Sequence, residues 1–374
     1  MRRLAFGASL FLAACSGSEE PSESGVARTP DGEIQVWFQE GVPSDTEFLA
    51  VWGRSRNDVW AVGWDGTIAH YNGMAWQLET TTATVPLTGI SGTPLPNGFD
   101  PDDPMDVAEL GPVFAVGWGG TILQRQMDGS WIDAPRAVGT ATVTTNLFDI
   151  YVHDDERALA VGDGGTVFAW DGTEWSNPAF RVPGDFSGEL IEPRVALQGV
   201  WTPNGDDFTI VGSSGAAYRS QGVATGFASL DTRIAEPLRG VWGTGNGNVY
   251  AVGLDSIILR FQNGQWQRQR NDGIASLPTT FLFGVHGQRA NDFLIVGWRG
   301  VAIRRANGLY VQEETLVDVD LRDVWVAPRE QIVPYPDELP DVTVNLDVGF
   351  AVGTNGTILR RQPPLPTLEE LQAP

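Results

Sequence analysis

Side chains able to do chemistry are few in this sequence. The 374 residues hold three histidines, His70, His153 and His286, and one cysteine, Cys15. Metal binding or acid–base catalysis needs such groups within ligand or hydrogen-bond reach. The histidines fall in different copies of a repeated segment, and no two share one strand face. His286 stands where four other copies carry Trp, which assigns it to packing. Neither a Gly-x-Ser-x-Gly elbow nor a phosphate-binding loop is present. Arg239 and Arg322 occupy equal places in two copies of the repeat and suit a carboxylate or a sugar acid. The matching residues Leu49, Thr88, Phe148, Gln198 and Phe283 add no charge. Asp100, Asp102, Asp103 and Asp106 form an oxygen-rich stretch of the kind calcium takes. Nearby prolines and the lack of a recognisable ligand spacing make a solvated loop the preferred reading, with calcium the alternative. The same holds for Glu330, Asp337, Glu338, Asp341 and Asp347. No motif implies a cofactor.

The elements that must position these residues are short strands. Ala61-Val62-Gly63 returns at Ala115, Ala160, Ile210, Ala251, Ile295 and Ala351, giving seven copies about 40 to 56 residues apart. Upstream of each copy lies a second run, as in Leu197-Gln198-Gly199-Val200-Trp201 and Leu238-Arg239-Gly240-Val241-Trp242. Downstream lies a third, as in Gly66-Thr67-Ile68-Ala69 and Gly356-Thr357-Ile358-Leu359. A fourth follows an Asn-Gly or Asp-Gly pair, as in Asn72-Gly73 before Trp76 and Asp171-Gly172 before Trp175. These pairs accept positive φ and match the twist of a two-stranded ribbon. Four antiparallel strands per unit make one propeller blade, so an all-β, seven-bladed β-propeller is expected over residues 33–362, with a tail at 363–374.

Closure of the ring is legible in what is missing. The seventh unit stops at Arg361-Gln362-Pro363-Pro364, where prolines forbid a further ladder strand. Trp37-Phe38-Gln39-Glu40 mirrors Tyr310-Val311-Gln312-Glu313, and Trp37 precedes Phe48 by the same 11 residues that separate Trp76 from Leu87. Residues 33–40 are therefore expected to supply the outer strand of the last blade.

Composition bounds the partners. All 24 basic residues are Arg against 47 acidic ones, for a net charge of −23. That surface argues against nucleic acid, whose binding rests on neutralised phosphates. No apolar run reaches 18 residues, so no ordinary spanning helix is expected. The N-terminus does carry a membrane signal: Met1-Arg2-Arg3 is basic, Leu4 to Ala14 is apolar, and Leu12-Ala13-Ala14-Cys15 resembles a bacterial lipobox. That resemblance implies a signal peptide over 1–14, cleavage before Cys15, and a lipid anchor on Cys15. Residues 15–32, rich in Ser, Glu, Gly and Pro, then read as a disordered acidic tether. Ser16 after the cysteine is compatible with sorting to the outer membrane of a Gram-negative bacterium.

The Leu-x-Gly-Val-Trp, Ala-Val-Gly, Gly-Thr-Ile-Leu and final Trp pattern resembles the photosystem II assembly-factor type of propeller, a relative of the Asp-box repeats of bacterial neuraminidases. The resemblance implies a binding or scaffold module, here for an envelope protein or glycan. A sialidase-like hydrolase or lyase is the alternative, for which Arg239 and Arg322 would need a Tyr and Glu pair that the sequence does not offer. The residue after each Ala-Val-Gly should line one face of the disc. Those residues are Trp64, Trp118, Asp163, Ser213, Leu254, Trp298 and Thr354, so the apolar side chains gather on blades five, six, one and two. Trp64, Trp118 and Trp298 are the expected recognition residues, with Arg299 as an added donor for carboxylate or sugar hydroxyls.

Overall fold

The computed structural model describes residues 36–95, 110–137, 143–183, 190–220, 226–245, 247–269, 279–306, 308–328, 331–332, 344–345 and 348–362. Cys15, the tether, the tail and both acidic insertions lie outside them.

Seven four-stranded antiparallel sheets form the blades, and each begins with an inner strand: Phe48–Ser55, Leu87–Gly92, Leu147–Val152, Leu197–Trp201, Leu238–Thr244, Leu282–Arg289 and Leu321–Val326. The second strands Val113–Gly117 and Ala158–Gly162 are buried at every position, and Asp58–Gly63, Asn248–Gly253 and Asp292–Gly297 at every position after the first. A sheet face would alternate, but each blade is covered by a neighbour on both sides, so the sequence there is continuously apolar. The closing glycine of Ala-Val-Gly has a steric cause. A Cβ on Gly63 would lie 2.1 Å from the Glu47 carbonyl oxygen, and on Gly353 2.0 Å from that of Asp320. Only Gly lets the incoming chain pass there, with the Trp64 N–H donating to that Glu47 oxygen.

The two tight turns of each blade are built differently. After Ala-Val-Gly the chain makes a two-residue turn: Asp65 and Gly66 both sit at positive φ, 55° and 71°, and the Thr67 N–H donates to the Trp64 carbonyl at 2.9 Å, the geometry of a type I′ hairpin. Of the described pairs that precede a fourth strand, at Asn72, Asp128, Asp171 and Asn263, the one at Asn263-Gly264 places both residues at positive φ, 53° and 79°. At Asn72 and Asp171 the side chain instead accepts backbone N–H groups two and three residues on, forming Asx turns.

The ring closes as the sequence implies. Trp37–Gln39 pairs with Ile358–Arg361 in the register Trp37↔Arg361, Phe38↔Arg360, Gln39↔Leu359. Glu313 of blade six then grips the seam: it accepts the Trp37 indole N–H at 2.9 Å and both Nε and Nη2 of the buried Arg361 at 2.8 and 2.7 Å. Two ribbons interrupt the blade pattern, Val182–Pro183 with Leu190–Ile191 and Gln331–Ile332 with Val344–Asn345.

A polar repeat also runs through the blades. The residue three before the Ala or Ile of the Ala-Val-Gly motif, at or just ahead of the start of the second strand, pairs with one 12 positions later on the third: Asp58 with His70, Asp207 with Arg219, Asn248 with Arg260, and Asp292 with Arg304. These pairs tie adjacent strands of one blade, while Arg219 also lies 5.4 Å from the Phe261 ring of the next blade.

Candidate binding site

Inner strands enclose a central cavity of about 840 Å³. In all seven blades the register shifts after the first inner-strand residue, so Leu49, Thr88, Phe148, Gln198, Arg239, Phe283 and Arg322 are bulge residues. A bulge re-aims one side chain without breaking the ladder. It turns these seven toward the axis, where all line the cavity at one mouth. Arg239 and Arg322 are thereby brought to the same mouth on either side of Phe283.

The two arginines are held differently. Arg322 donates from Nε to Glu47 at 2.9 Å, approaches Asp320 at 3.4 Å and lies 5.1 Å from the Phe283 ring centre. Arg239 donates to the Gln198 amide oxygen at 2.5 Å, and no carboxylate among the described residues pairs with it. Burial, and then the charge of Arg322, lower its pKa. Arg239 thus keeps a positive charge without a counter-ion, positioned to receive a carboxylate.

Around this mouth stand the exposed aromatics. Trp64, Trp118, Trp298 and Phe281 are between 37% and 44% exposed, a level that leaves an indole face free for contact. Trp64 meets Trp118 of the next blade edge-to-face at 5.4 Å, and both line the cavity entrance. Trp298 meets Phe281 at 5.7 Å, and Phe281 stacks on Phe283 at 6.3 Å, so this second group reaches the mouth from blade six. The apolar arc is therefore two aromatic groups separated by blade seven, and Leu254 is half-buried. Phe281 was not foreseen; it lies in a crossing rather than in the repeat.

Arg299, expected as an added donor beside Trp298, makes a surface ion pair in which its Nε and Nη2 donate to the two oxygens of Asp318 at 2.8 and 2.9 Å, with both side chains more than half exposed. Asp318 lies in the crossing that leads to blade seven, within reach of the turn that carries Arg299.

Deeper in the cavity are two carboxyls that sequence reasoning passed over, Asp149 and Asp323. They follow the bulge at a register that is Ala50, Gly89, Gly199, Gly240 and Gly284 in the other blades. Asp149 accepts the N–H of Val200 in blade four at 2.8 Å, and Asp323 that of Val51 in blade one at 3.0 Å. Their second oxygens accept the N–H of Ile150 and Val324, each at 2.8 Å. Burial pushes both carboxyls up to about 7, with the facing charge of Asp323 adding to the rise at Asp149. A register alignment of the seven copies would have exposed them.

The histidines remain apart. His70 sits between Asp58 at 2.6 Å and Glu79 at 3.4 Å, stacked on Trp60. His286 is packed among Trp242 and Trp325, and its Nδ1 accepts the Val326 N–H at 2.9 Å. Among the described residues no three His, Cys, Asp or Glu side chains converge as metal ligands.

No family model matches the chain. Among curated proteins it is 26% identical over 161 residues to the immune protein Tsi7 of Pseudomonas aeruginosa, a stretch covering 34% of this chain and 48% of that protein. The chain thus spans about half the length of this relative. Among solved structures, YCF48 bound to a D1 peptide matches at a TM-score of 0.63 and 15% identity, covering 91% of this chain and 99% of that one. YCF48 from Cyanidioschyzon merolae matches at 0.60 and 10% identity, covering 88% and 99%. The WD40 β-propeller domain of Doa1 matches at 0.61 and 12% identity, covering 88% and 97%. The chain is a seven-bladed β-propeller that resembles YCF48 in fold.

Proposed function

We propose that this protein is a membrane-tethered recognition module that captures a segment of another envelope protein at the mouth bearing Trp64, Trp118, Trp298, Arg239 and Arg322. The observation that carries this reading is that exposed indoles stand at the mouth that also holds Arg239, with which no carboxylate pairs among the described residues. Such aromatics and arginines are the residues that most often dominate binding energy at interfaces. A segment with an acidic side chain or a free carboxyl terminus and one apolar anchor would satisfy both. A propeller of similar fold has been solved with a peptide bound, which supports a peptide-class partner. Lipid on Cys15 would hold the module at the envelope, with the outer membrane of a Gram-negative bacterium as the destination implied by Ser16.

The test is cross-linking and capture from native membranes with the tagged full chain, followed by affinity measurement on the partner that mass spectrometry identifies. Trp64→Ala with Trp298→Ala should leave thermal unfolding intact and weaken that affinity at least tenfold, about 1.4 kcal/mol. Cys15→Ser should release the folded chain from the membrane pellet. Equal affinity of parent and double variant would remove this mouth as the recognition face.

A further inference from the structure

On the opposite face, between blades five and six, lies a cleft of about 380 Å³ lined by Thr244, Tyr250, Arg260, Gln288, Arg289, Ala290, Asn291 and Arg305. Three of these are arginines, and no carboxylate is among them, in a chain whose net charge is −23. The repeat shows how the charge became unbalanced. Where blades one, four and six have Asp58, Asp207 and Asp292 at one register near the start of the second strand, blade five has Asn248, so Arg260 donates to an amide oxygen at 3.0 Å.

A second register tells the same story. Arg125 and Arg361 are each gripped by a glutamate from the preceding blade, Glu79 and Glu313, three residues after Trp76 and Tyr310. Arg305 occupies that third-strand register in blade six, and the residue three after Trp266 is Gln269. Its Nη1 reaches the Tyr310 hydroxyl at 2.9 Å and the Gln269 amide oxygen at 3.4 Å, while its buried Nε has no hydrogen-bond partner. Two carboxylates have thus been replaced by their own amides around one cleft, which preserves shape and removes charge. Among the described residues no carboxylate pairs with Arg260, Arg289 or Arg305, and neighbouring guanidiniums so placed repel one another and are costly to desolvate.

We infer that this cleft is an oxyanion site whose ligand is a phosphate group, bound by Arg260, Arg289 and Arg305. The planar forks of guanidinium match phosphate oxygens in pairs, and a dianion restores the two negative charges that Asn248 and Gln269 omit. Exposed Arg289 forms the rim, and Tyr250, whose hydroxyl donates to the Ala290 carbonyl at 2.9 Å, forms part of the lining. The site is independent of the aromatic mouth, which lies at the other end of the inner strands.

The test uses the full chain titrated with inorganic phosphate and, separately, with glycerol 3-phosphate, at constant ionic strength with chloride as the control. Thermal shift and calorimetry should report saturable binding that chloride does not reproduce. A preference for either ligand would identify the source as free phosphate or a phosphomonoester, and each supports the site. Asn248→Asp with Gln269→Glu should raise the melting temperature without ligand and weaken phosphate binding at least tenfold. Arg289→Ala, a change at an exposed rim that does not threaten folding, should weaken it at least fivefold. Absence of saturable binding by the parent, or equal binding by parent and both variants, would overturn the assignment.

Discussion

His70 and His286 show how far one residue type can be driven in opposite directions. Burial opposes charge on His70, but hydrogen bonds to Asp58 and Glu79 outweigh it and raise its pKa. Glu79 is in turn lowered to about 2: burial opposes its charge, while hydrogen bonds from His70, Arg125 and Trp131 prevail. His286 has no carboxylate partner among the described residues, and burial pushes it down to about 4. In NMR titrations one imidazole should titrate above 6.5 and another near 4, assigned by His70→Arg and His286→Gln. A histidine raised in the folded state adds stability below its unfolded pKa of 6.5, and this is lost as pH rises through the folded value. His70→Arg installs the pair that Asp207–Arg219 and Asp292–Arg304 already make. It should therefore be more stable than the parent at pH 8.5, by about 0.5 to 1 kcal/mol, and similar at pH 5.5. Two imidazoles with unperturbed titrations would refute both assignments.

At the scale of the strand, Asp149 and Asp323 are ties between neighbouring blades. Each replaces a Gly or Ala and reaches across to an N–H of the next inner strand, at the junctions three–four and seven–one. Their pKa of about 7 lies above the unfolded value near 3.8, so the folded protein binds more protons between these limits. Stability from this source is full below about pH 4 and declines as pH rises toward 7. Melting temperature should therefore fall between pH 5 and pH 8, in the same direction as the His70 effect. Asp149→Ala with Asp323→Ala should lose most of that slope, at a cost of about 1 to 2 kcal/mol at pH 5 for the orphaned Val200 and Val51 N–H groups. Differential scanning calorimetry across that range checks it; an unchanged slope would show that other groups control it.

The whole molecule depends on a strand from the opposite end of the chain. Trp37 is buried against blade six, and Glu313 joins its indole to Arg361, which is itself 2% exposed and so cannot remain charged and unpaired without penalty. A chain starting at Ser44 loses the outer strand of blade seven and the burial of Trp37. Its unfolding free energy should fall by about 3 kcal/mol or more, seen as a lower and broader thermal transition. Unchanged unfolding would mean that the ring does not need this closure.

Much of this architecture was legible because a blade repeats. Seven copies of one hydrophobic pattern set strand number, order and period, and the missing fourth strand of the seventh blade, Trp37–Gln39, is found by matching Trp37 to Tyr310. The sequence also located Trp64, Trp118 and Trp298 on one edge, since a fixed offset from Ala-Val-Gly is a fixed place on the disc. What it could not show was convergence across the ring. Arg239, Phe283 and Arg322 are about 40 residues apart, and only the bulge in each inner strand turns them into one mouth. Asp318, 19 residues from Arg299, is brought to it only by the crossing between blades. The amides Asn248 and Gln269 belong to different repeat registers, and nothing in linear order relates them to Arg289. Local pattern determines the blade, because its strands pair with near neighbours in the chain. The contents of the mouth and of the clefts are decided by how blades pack side by side, where contacts join residues that the repeat alone leaves unrelated.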